Sequence, residues 1–295
     1  MSRVVVTAWD APSGDLVAGL LASLAAHAAT RDLPVRVLVP DDAAARGLDQ
    51  AVAVRLAADE APDVARTRLP EIVPGFERYL WLAPATWVVD GAAPVALLDA
   101  AADGALAGVF EIDRAYRIYA SERPPWRLYA AAFARLYGHE TMRRQWMRPF
   151  VNGAVLALPG DTPHWAAWRD ALADAAPGVR PPMPYSLADV ALNVALGRDG
   201  LPVRAFPATW NWLCHFERPA WDGGRLVEPE PPHAPIRILH LSGQARARRM
   251  RIAGLDGGRW SSRLRFPLEI AAEDAPADDD EDPSEGARDG AAAAH

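Results

Sequence analysis

Several side chains that could bind sugars, phosphates or metal ions come directly after apolar runs that the sequence predicts to be strands. They are Asp10, Asp41, Asp42, Glu111, Asp113 and His240. Ligands of open α/β sheets bind at the carboxyl ends of the strands, so residues at these positions are candidates for one shared site. Carboxylates and an imidazole at that place suit the recognition of a nucleotide or a sugar.

The same residues also have structural interpretations. Asp10 could cap a turn or helix instead of contacting a base. Glu111 and Asp113 would point the same way if the strand continued through them, and could then hold sugar hydroxyls, form an acidic pair or make surface salt bridges. His164, His215 and His233 are interpreted as structural.

An arginine cluster supplies the positive charge. Arg246, Arg248, Arg249 and Arg251 lie close together, and all 31 basic residues of the chain are arginines. Guanidinium groups can grip a diphosphate bidentately. The alternative is an ordinary Arg-rich loop, because this chain uses arginine for every basic position. The absence of lysine excludes Schiff-base chemistry and a phosphate-binding-loop lysine.

Common catalytic motifs are missing from the sequence. There is no Gly-x-Gly-x-x-Gly after the first apolar run, no Gly-x-Ser-x-Gly and no His-Glu-x-x-His. These absences weaken the interpretations as a dinucleotide enzyme, an α/β-hydrolase or a zinc protease.

Five segments, in order, resemble the nucleotide-sugar transferases of glycosyltransferase family 8. They are residues 5–10, 79–88, 150–155, 188–193 and 240–243. The resemblance covers roughly residues 3 to 250 and implies a GT-A fold, a nucleoside-diphosphate-sugar donor with UDP-sugars expected first, and hexosyl transfer with retention. Together with the strand-end positions, the resemblance gives as candidate substrate-binding residues Thr7, Ala8, Asp10, Glu111, Asp113, Asn152, Gly153, Trp210, Asn211, His240, Gly243 and Arg246.

The metal motif departs from that family. Ala83 and Ala85 stand where the family has the two aspartates that ligate Mn²⁺ or Mg²⁺. An alanine methyl cannot bind a hard cation, and His240 alone would be a poor site for one. We therefore predict no tightly bound metal. Arg246, at the place of the family's lysine, would instead stabilise the departing diphosphate.

The catalytic candidates are Asp189 and Asn152. Ala188 occupies the position of the family's helix-start aspartate, and Asp189 follows one place later, a rotation of about 100° on a helix. Asn152 could bond a sugar hydroxyl while Gly153 lets the backbone approach the ligand, or the pair could form a turn at the start of a strand. The Trp210-Asn211-Trp212 segment offers rings for sugar stacking, although such tryptophans commonly belong to a core.

Charge and composition limit the partners. The net charge is −7, but residues 271–295 carry nine acidic residues and one arginine, so the preceding 270 residues total +1. We interpret 271–295 as an acidic, disordered tail and expect no nucleic-acid partner. No apolar run is long enough to span a bilayer. The single Cys214 and the lack of a leader-like start favour a cytoplasmic protein.

Strand-like apolar runs alternate with segments of helical periodicity, which predicts an α/β fold. With the resemblance, we expect a GT-A-like, mixed and mostly parallel sheet flanked by helices. It would form one domain with an elaborated C-terminal half. The predicted strands are 3–8, 35–39, 51–56, 79–82, 105–110, 154–158 and 236–239. The predicted helices are 16–29, 126–137, 162–175 and 187–196, with Ser13 as a candidate cap.

Two functions remain open from sequence. One is a metal-independent glycosyltransferase whose acceptor is unknown. The other is a catalytically inactive GT-A protein that binds a sugar nucleotide or a protein partner. A lesser alternative is an interaction module whose acidic tail recruits basic partners.

Overall fold

The computed structural model describes residues 2–9, 14–40, 48, 52–57, 60–117, 124–182 and 185–273. Asp10, Ser13, Asp41 and Asp42, together with residues 274–295, lie outside the described residues.

Fifteen strands are found in the described part of the chain. They are β1 (Arg3–Ala8), β2 (Val35–Val39), β3 (Ala53–Arg55), β4 (Arg78–Leu82), β5 (Thr86–Val88), β6 (Leu106–Phe110), β7 (Val151–Pro159), β8 (Val203–Phe206), β9 (Trp212–Leu213), β10 (Ala220–Trp221), β11 (Leu226–Val227), β12 (Ile238–His240), β13 (Met250–Ala253), β14 (Arg259–Ser262) and β15 (Ala271–Ala272).

The α-helices of the described segments are α1 (Gly14–Ala26), α2 (Pro62–Ala65), α3 (Leu69–Ile72), α4 (Ala92–Ala100), α5 (Pro125–Gln145), α6 (His164–Ala173) and α7 (Leu187–Asp199). Short 3-10 helices cover Arg66–Arg68, Ala101–Asp103, Ala208–Trp210 and Gly243–Arg246. Gly138, with φ of 82°, interrupts the helical backbone of α5. Each strand and helix predicted from periodicity coincides with one of these elements, with the ends shifted by a few residues.

Seven strands form the central sheet, in the order β3-β2-β1-β4-β7-β6-β8. Strand β7 is antiparallel to its neighbours β4 and β6, and the other pairings are parallel. The predicted mixed, mostly parallel α/β sheet is confirmed. Because β7 runs backwards, its first residues lie beside the carboxyl ends of β4 and β6.

Both faces of the sheet are buried, which explains the continuous apolar runs of its strands. Val4 and Val6 of β1 pack in the cluster that includes buried side chains of α5, α6 and α7. Val5, between them, packs on the opposite face with Leu20 of α1 and Leu97 of α4. The period-2 alternation of the strand therefore fixes which residues reach the α5–α7 side.

A separate core cluster holds the C-terminal half together. It contains Trp212, Cys214 and Leu239, all buried, in and beside the small sheet β5-β12-β9. The chain then forms the antiparallel sheet of β13, β14 and β15. The predicted start of the tail at Ala271 is wrong, because Ala271 and Ala272 pair with β14 and complete this sheet.

Candidate functional site

A cleft of about 600 Å³ opens at the carboxyl ends of β1, β4 and β6. The start of β7, the start of α7 and the segment that follows β12 complete its walls. Its lining includes eight of the residues predicted from sequence: Ala8, Glu111, Asn152, Gly153, Asp189, His240, Gly243 and Arg246. Residues that lie far apart along the chain thus meet at one edge of the sheet.

Glu111 places a buried carboxyl group in this cleft. One of its oxygens accepts hydrogen bonds from the hydroxyls of Tyr129 (2.8 Å) and Tyr185 (3.0 Å), and the other accepts one from Asn152 Nδ2 (2.7 Å). Burial raises the pKa of Glu111 to about 7, although the three hydrogen bonds favour the ionised form. A group with this pKa can exchange a proton near neutral pH.

Asn152 connects Glu111 to a second amide. Its Oδ1 accepts hydrogen bonds from Asn211 Nδ2 (2.9 Å) and from the backbone N–H of Ala154 (3.0 Å). Asn211 is fully buried behind Asn152 and does not line the cleft. The sequence motif around Asn211 therefore supplies a positioning contact, while Asn152 is the amide that borders the cleft.

Asp189 is held by an ion pair. Arg66 donates to Asp189 Oδ1 at 2.6 Å, and the hydroxyl of Ser186 donates to Oδ2 at 2.8 Å. Ser186 and Asp189 also form a capping box at the start of α7. Both carboxylate oxygens are thereby engaged, so direct attack by Asp189 on a sugar would require these contacts to be released.

Gly153 is needed for that ion pair. A Cβ atom at position 153 would meet Asp189 Oδ1 at 1.8 Å and Arg66 Nη1 at 2.9 Å. The carbonyl oxygen of Gly153 also accepts a hydrogen bond from Arg66. The sequence interpretation that this glycine lets the backbone approach a ligand is corrected, because the space beside its Cα is filled by Asp189.

Arg66 is enclosed by aromatic rings. Its guanidinium lies 5.6 Å from the ring centroid of Trp81 and 5.5 Å from that of Trp168. It also pairs with Asp63 at 2.7 Å. A buried cation between two carboxylates and two indoles thus forms part of the cleft wall.

Another part of the cleft wall contains two histidines and an arginine. His240 is buried, and neither of its ring nitrogens has a hydrogen-bond partner. His215 Nδ1 lies 2.7 Å from the hydroxyl oxygen of Ser242. Burial, followed by the charge of Arg246, lowers the pKa of His215 to about 4 and that of His240 to about 3. Both imidazoles are therefore neutral at neutral pH, and Arg246 is the positive group of this wall.

The Arg246 side chain makes one hydrogen bond with the described residues and is exposed to solvent. Its Nε donates to the carbonyl oxygen of Leu241 at 3.0 Å, and the side chain is solvent-exposed at the cleft. Gly243, three residues earlier, has φ of 60°, and an added Cβ would meet His215 Cβ at 2.9 Å. Both the positive φ and the lack of space for a Cβ atom therefore require a glycine at position 243.

The donor set does not fit the divalent ion that the family resemblance implies. Ala83 borders the cleft with a methyl group, and Ala85 is buried in the C-terminal core cluster. The ring nitrogens of His240 have no hydrogen-bond partner among the described residues. However, those residues contain no group of three His, Cys, Asp or Glu side chains placed to hold a metal. We therefore derive no chemistry here from a metal ion.

Three other predicted site residues lie away from the cleft. Thr7 is fully buried within β1 and does not line the cleft. Asp113 accepts hydrogen bonds from the backbone N–H groups of Ala115 and Ala208, because the chain turns after Phe110 and the strand does not continue. The guanidinium carbon of Arg237 lies over the ring of Trp210, 5.0 Å from the ring centroid.

Asp113 and Trp210 line a different groove of about 690 Å³. The expectation that Glu111 and Asp113 point the same way is thus wrong, and so is a place for Trp210 in the cleft. Asp10 lies outside the described residues.

The sequence analysis missed several residues of the cleft. These are Asp63, Arg66, Trp81, Tyr185, Ser186, His215 and Ser242. Trp81 and Ser242 lie within the motif segments 79–88 and 240–243, and Ser186, three places before Asp189, fits the pattern of a capping box. His215 was interpreted as structural, whereas it lines the cleft. His164 fits its structural interpretation, since its ring nitrogens contact Thr162 Oγ1 and the Pro202 carbonyl.

Comparisons with known proteins give matches to solved structures. No family profile and no curated protein matches the sequence. The galactosyltransferase LgtC in complex with donor and acceptor sugar analogues is 14% identical, with a TM-score of 0.47 over 82% of this chain and 88% of that chain. The apo form of the bifunctional glycosyltransferase WbbM is 13% identical, with a TM-score of 0.48 over 82% of this chain and 46% of that chain.

An active-site mutant of LgtC is 14% identical, with a TM-score of 0.46 over 81% of this chain and 87% of that chain. Each of the three matches extends over at least 81% of this chain. Within the described residues, no helix has both the length and the hydropathy that crossing a membrane requires.

Proposed function

We propose that this chain is a cytoplasmic, glycosyltransferase-like protein whose cleft binds a nucleoside-diphosphate sugar, a UDP-sugar first, and transfers its hexose with retention. The supporting observation is the convergence of three motif segments on one cleft. Its lining at the carboxyl edge of the sheet includes Asn152 with Gly153, Asp189, and four residues of the last segment, which are His240, Ser242, Gly243 and Arg246.

Arg246 is assigned to the diphosphate. It is the exposed cation of a wall whose two histidines are neutral, and it can offset part of the negative charge of the leaving group without a metal. During transfer the bond from the anomeric carbon to the diphosphate breaks and a bond to the acceptor oxygen forms on the same face. The acceptor proton passes to a phosphate oxygen of the departing diphosphate.

Glu111 and Asn152 are assigned to the hexose. Glu111 is buried and Asn152 is half-buried, and a 2.7 Å hydrogen bond links the carboxyl group and the amide at the cleft. Such groups select the hydroxyl pattern of a sugar, because a mismatched hydroxyl leaves a buried polar group unpaired.

A non-catalytic sugar-nucleotide-binding protein is the second candidate. It is favoured by the engagement of both Asp189 oxygens with Arg66 and Ser186. It is also favoured by the alanines at positions 83 and 85.

Calorimetric titration with UDP, GDP and their sugar conjugates, each with and without Mn²⁺, tests the binding. We expect binding without metal that weakens at least about tenfold in Arg246→Gln, equivalent to about 1.4 kcal/mol. Arg143→Gln, an exposed arginine of α5, is the matched control and should leave the affinity unchanged. Absence of nucleotide binding in all conditions would refute both candidates.

Hydrolysis and transfer assays on the ligand that binds then separate the two candidates. Release of free sugar or formation of a new glycoside supports the transferase. Tight binding with no turnover supports the binding protein.

A further inference from the structure

The part of the cleft wall around His215 is formed by two adjacent strands of the small sheet. Strand β9 pairs in parallel with β12, with Leu213 opposite His240. Continuing this register by two residues places His215 opposite Ser242, just beyond the ends of both strands. The contacts agree with that position, because the backbone N–H of His215 donates to the hydroxyl oxygen of Ser242 at 3.1 Å. Both side chains line the cleft.

The hydroxyl of Ser242 determines which nitrogen of the His215 ring carries a hydrogen. Nδ1 of His215 lies 2.7 Å from the hydroxyl oxygen. The other acceptor that the described residues place within reach is the carbonyl oxygen of His240, at 3.4 Å. That oxygen already accepts the backbone N–H groups of Cys214 (3.2 Å) and Ser242 (2.8 Å), so both of its lone pairs are engaged. The hydroxyl hydrogen is therefore donated to Nδ1, and the neutral ring carries its own hydrogen on Nε2.

This Nε2–H group of His215 is available to a ligand. The side chain is solvent-exposed and lines the cleft, and the described part of the chain places no hydrogen-bond partner at Nε2. Its Cβ packs against Gly243, where an added Cβ atom would come within 2.9 Å. Because Nδ1 and Cβ are both in contact with the protein, Nε2–H is the donor that remains at the exposed edge of the ring.

The charge around this donor favours an anion. Arg246 is exposed in the same cleft, and after burial its charge is the next largest cause of the lowered pKa of His240, which shows that the guanidinium lies near that ring. A metal cation would be repelled there, whereas an anion would be attracted and could accept the N–H of His215. A neutral donor also adds no second positive charge beside Arg246, so it causes no repulsion within the wall.

We propose that His215 is a binding residue for the anionic group that Arg246 attracts. Its Nε2–H donates to an oxygen of that group, and Ser242 is the positioning residue that orients the ring. The identification of the anion as the diphosphate of a nucleotide rests on the proposed function. The donation itself does not, because it needs only an anionic oxygen within reach of Nε2.

Two substitutions of His215 separate this donor from the other contacts of the ring. An asparagine places its amide near the position of Nδ1, whereas a glutamine places its amide near that of Nε2. Inorganic pyrophosphate and UDP are titrated calorimetrically, without metal, into the full-length wild-type chain and both variants. His233→Asn is the matched control. His233 does not line the cleft, its Nδ1 also lies near a protein oxygen, the Glu228 carbonyl at 3.2 Å, and its φ of 59° suits an asparagine.

We expect His215→Asn to weaken the binding of both ligands at least about fivefold, because a hydrogen bond to a charged group is lost at a solvent-exposed position. His215→Gln and His233→Asn should stay within about twofold of the wild-type affinity. Wild-type affinity in His215→Asn overturns the proposal, and so does an equal loss in His215→Asn and His215→Gln.

The two ligands separate this inference from the proposed function. If pyrophosphate binds and UDP does not, the proposed function is refuted, and the pyrophosphate titrations still decide the role of His215. If neither ligand binds the wild-type chain, both are overturned.

A double-mutant cycle tests the positioning role of Ser242. Ser242→Ala should weaken pyrophosphate binding about threefold, because the ring of His215 loses the contact that orients it. If Ser242 acts through His215, the variant that combines Ser242→Ala with His215→Asn binds no more weakly than His215→Asn alone. Additive losses in the double variant would overturn the positioning role.

A measurement on the wild-type chain does not depend on the folding of any variant. With histidines labelled with ¹⁵N, a long-range ¹H–¹⁵N correlation spectrum reports which ring nitrogen carries the hydrogen. We expect the Nε2–H form for His215, and a shift of its Nε2 resonance when pyrophosphate is added. An Nδ1–H form, or no shift on addition of pyrophosphate, overturns the proposal.

Discussion

The carboxyl group of Glu111 is buried at the cleft, and its pKa is raised. Three hydrogen-bond donors surround its carboxyl group, yet burial still raises its pKa from 4.5 to about 7. Proton binding is therefore stronger in the folded than in the unfolded chain. This contribution to stability is complete below pH 4.5 and is lost as the pH rises through about 7.

Glu111→Gln should remove that pH dependence. We expect the free energy of unfolding of the wild-type chain to fall relative to the variant by about 3 kcal/mol between pH 4.5 and pH 7.5. Urea denaturation of both chains at several pH values measures the difference. Parallel pH profiles would show that Glu111 is not the buried acid described here.

Gly153→Ala should damage the cleft wall through a collision. The new methyl group would need the space that Asp189 Oδ1 fills, so Asp189 would have to leave Arg66. We expect a loss of about 2 to 3 kcal/mol in the free energy of unfolding, measured by urea denaturation. Gly224→Ala, where the nearest atom would be 3.8 Å away, is the control and should change stability little.

At the scale of elements, the first turn of α7 positions the acidic wall of the cleft. Ser186 accepts a hydrogen bond from the N–H of Asp189 at 3.1 Å, and its hydroxyl oxygen lies 3.2 Å from Arg66 Nη2. One hydroxyl group therefore contacts the helix start, the Asp189 carboxylate and the buried arginine. Loss of that hydroxyl should loosen all three.

Ser186→Ala should lower the free energy of unfolding by about 1 kcal/mol or more, because an N-cap and an Arg66 contact disappear together. Ser186→Thr keeps the hydroxyl and should retain most of the stability. Thermal unfolding of the three chains is the measurement. A destabilisation that Thr does not restore would place the cause outside the capping box.

At the scale of the whole molecule, six of the seven strands of the central sheet could be predicted, whereas the shortest strands of the C-terminal half could not. The buried strands have continuous apolar runs, so residues 3–8 and 35–39 were found with their observed bounds. Strands of two residues, such as β9 and β11, are too short to produce periodicity. Their positions depend on packing in a distant core cluster.

Cleft residues that belong to sequence motifs could be predicted. Residues that form part of the cleft only because the fold buries them there could not. Asn152 and Arg246 stood out by type and spacing, and both line the cleft. Arg66 did not, because an arginine in a short helical stretch gives no sign of burial between Trp81 and Trp168. The predicted direction of the Asp113 side chain was wrong because it assumed that the strand alternation continues past Phe110, where the chain turns.

The buried position of Cys214 gives the molecule an internal reporter. Its thiol is enclosed in the C-terminal core cluster, and burial raises its pKa well above the ordinary value. Alkylation in native conditions should therefore be slow and should proceed through transient opening of that cluster. Because Cys214 precedes His215 of the cleft, ligands that fill the cleft should slow thiol labelling, which makes the labelling rate a binding assay that needs no knowledge of the acceptor.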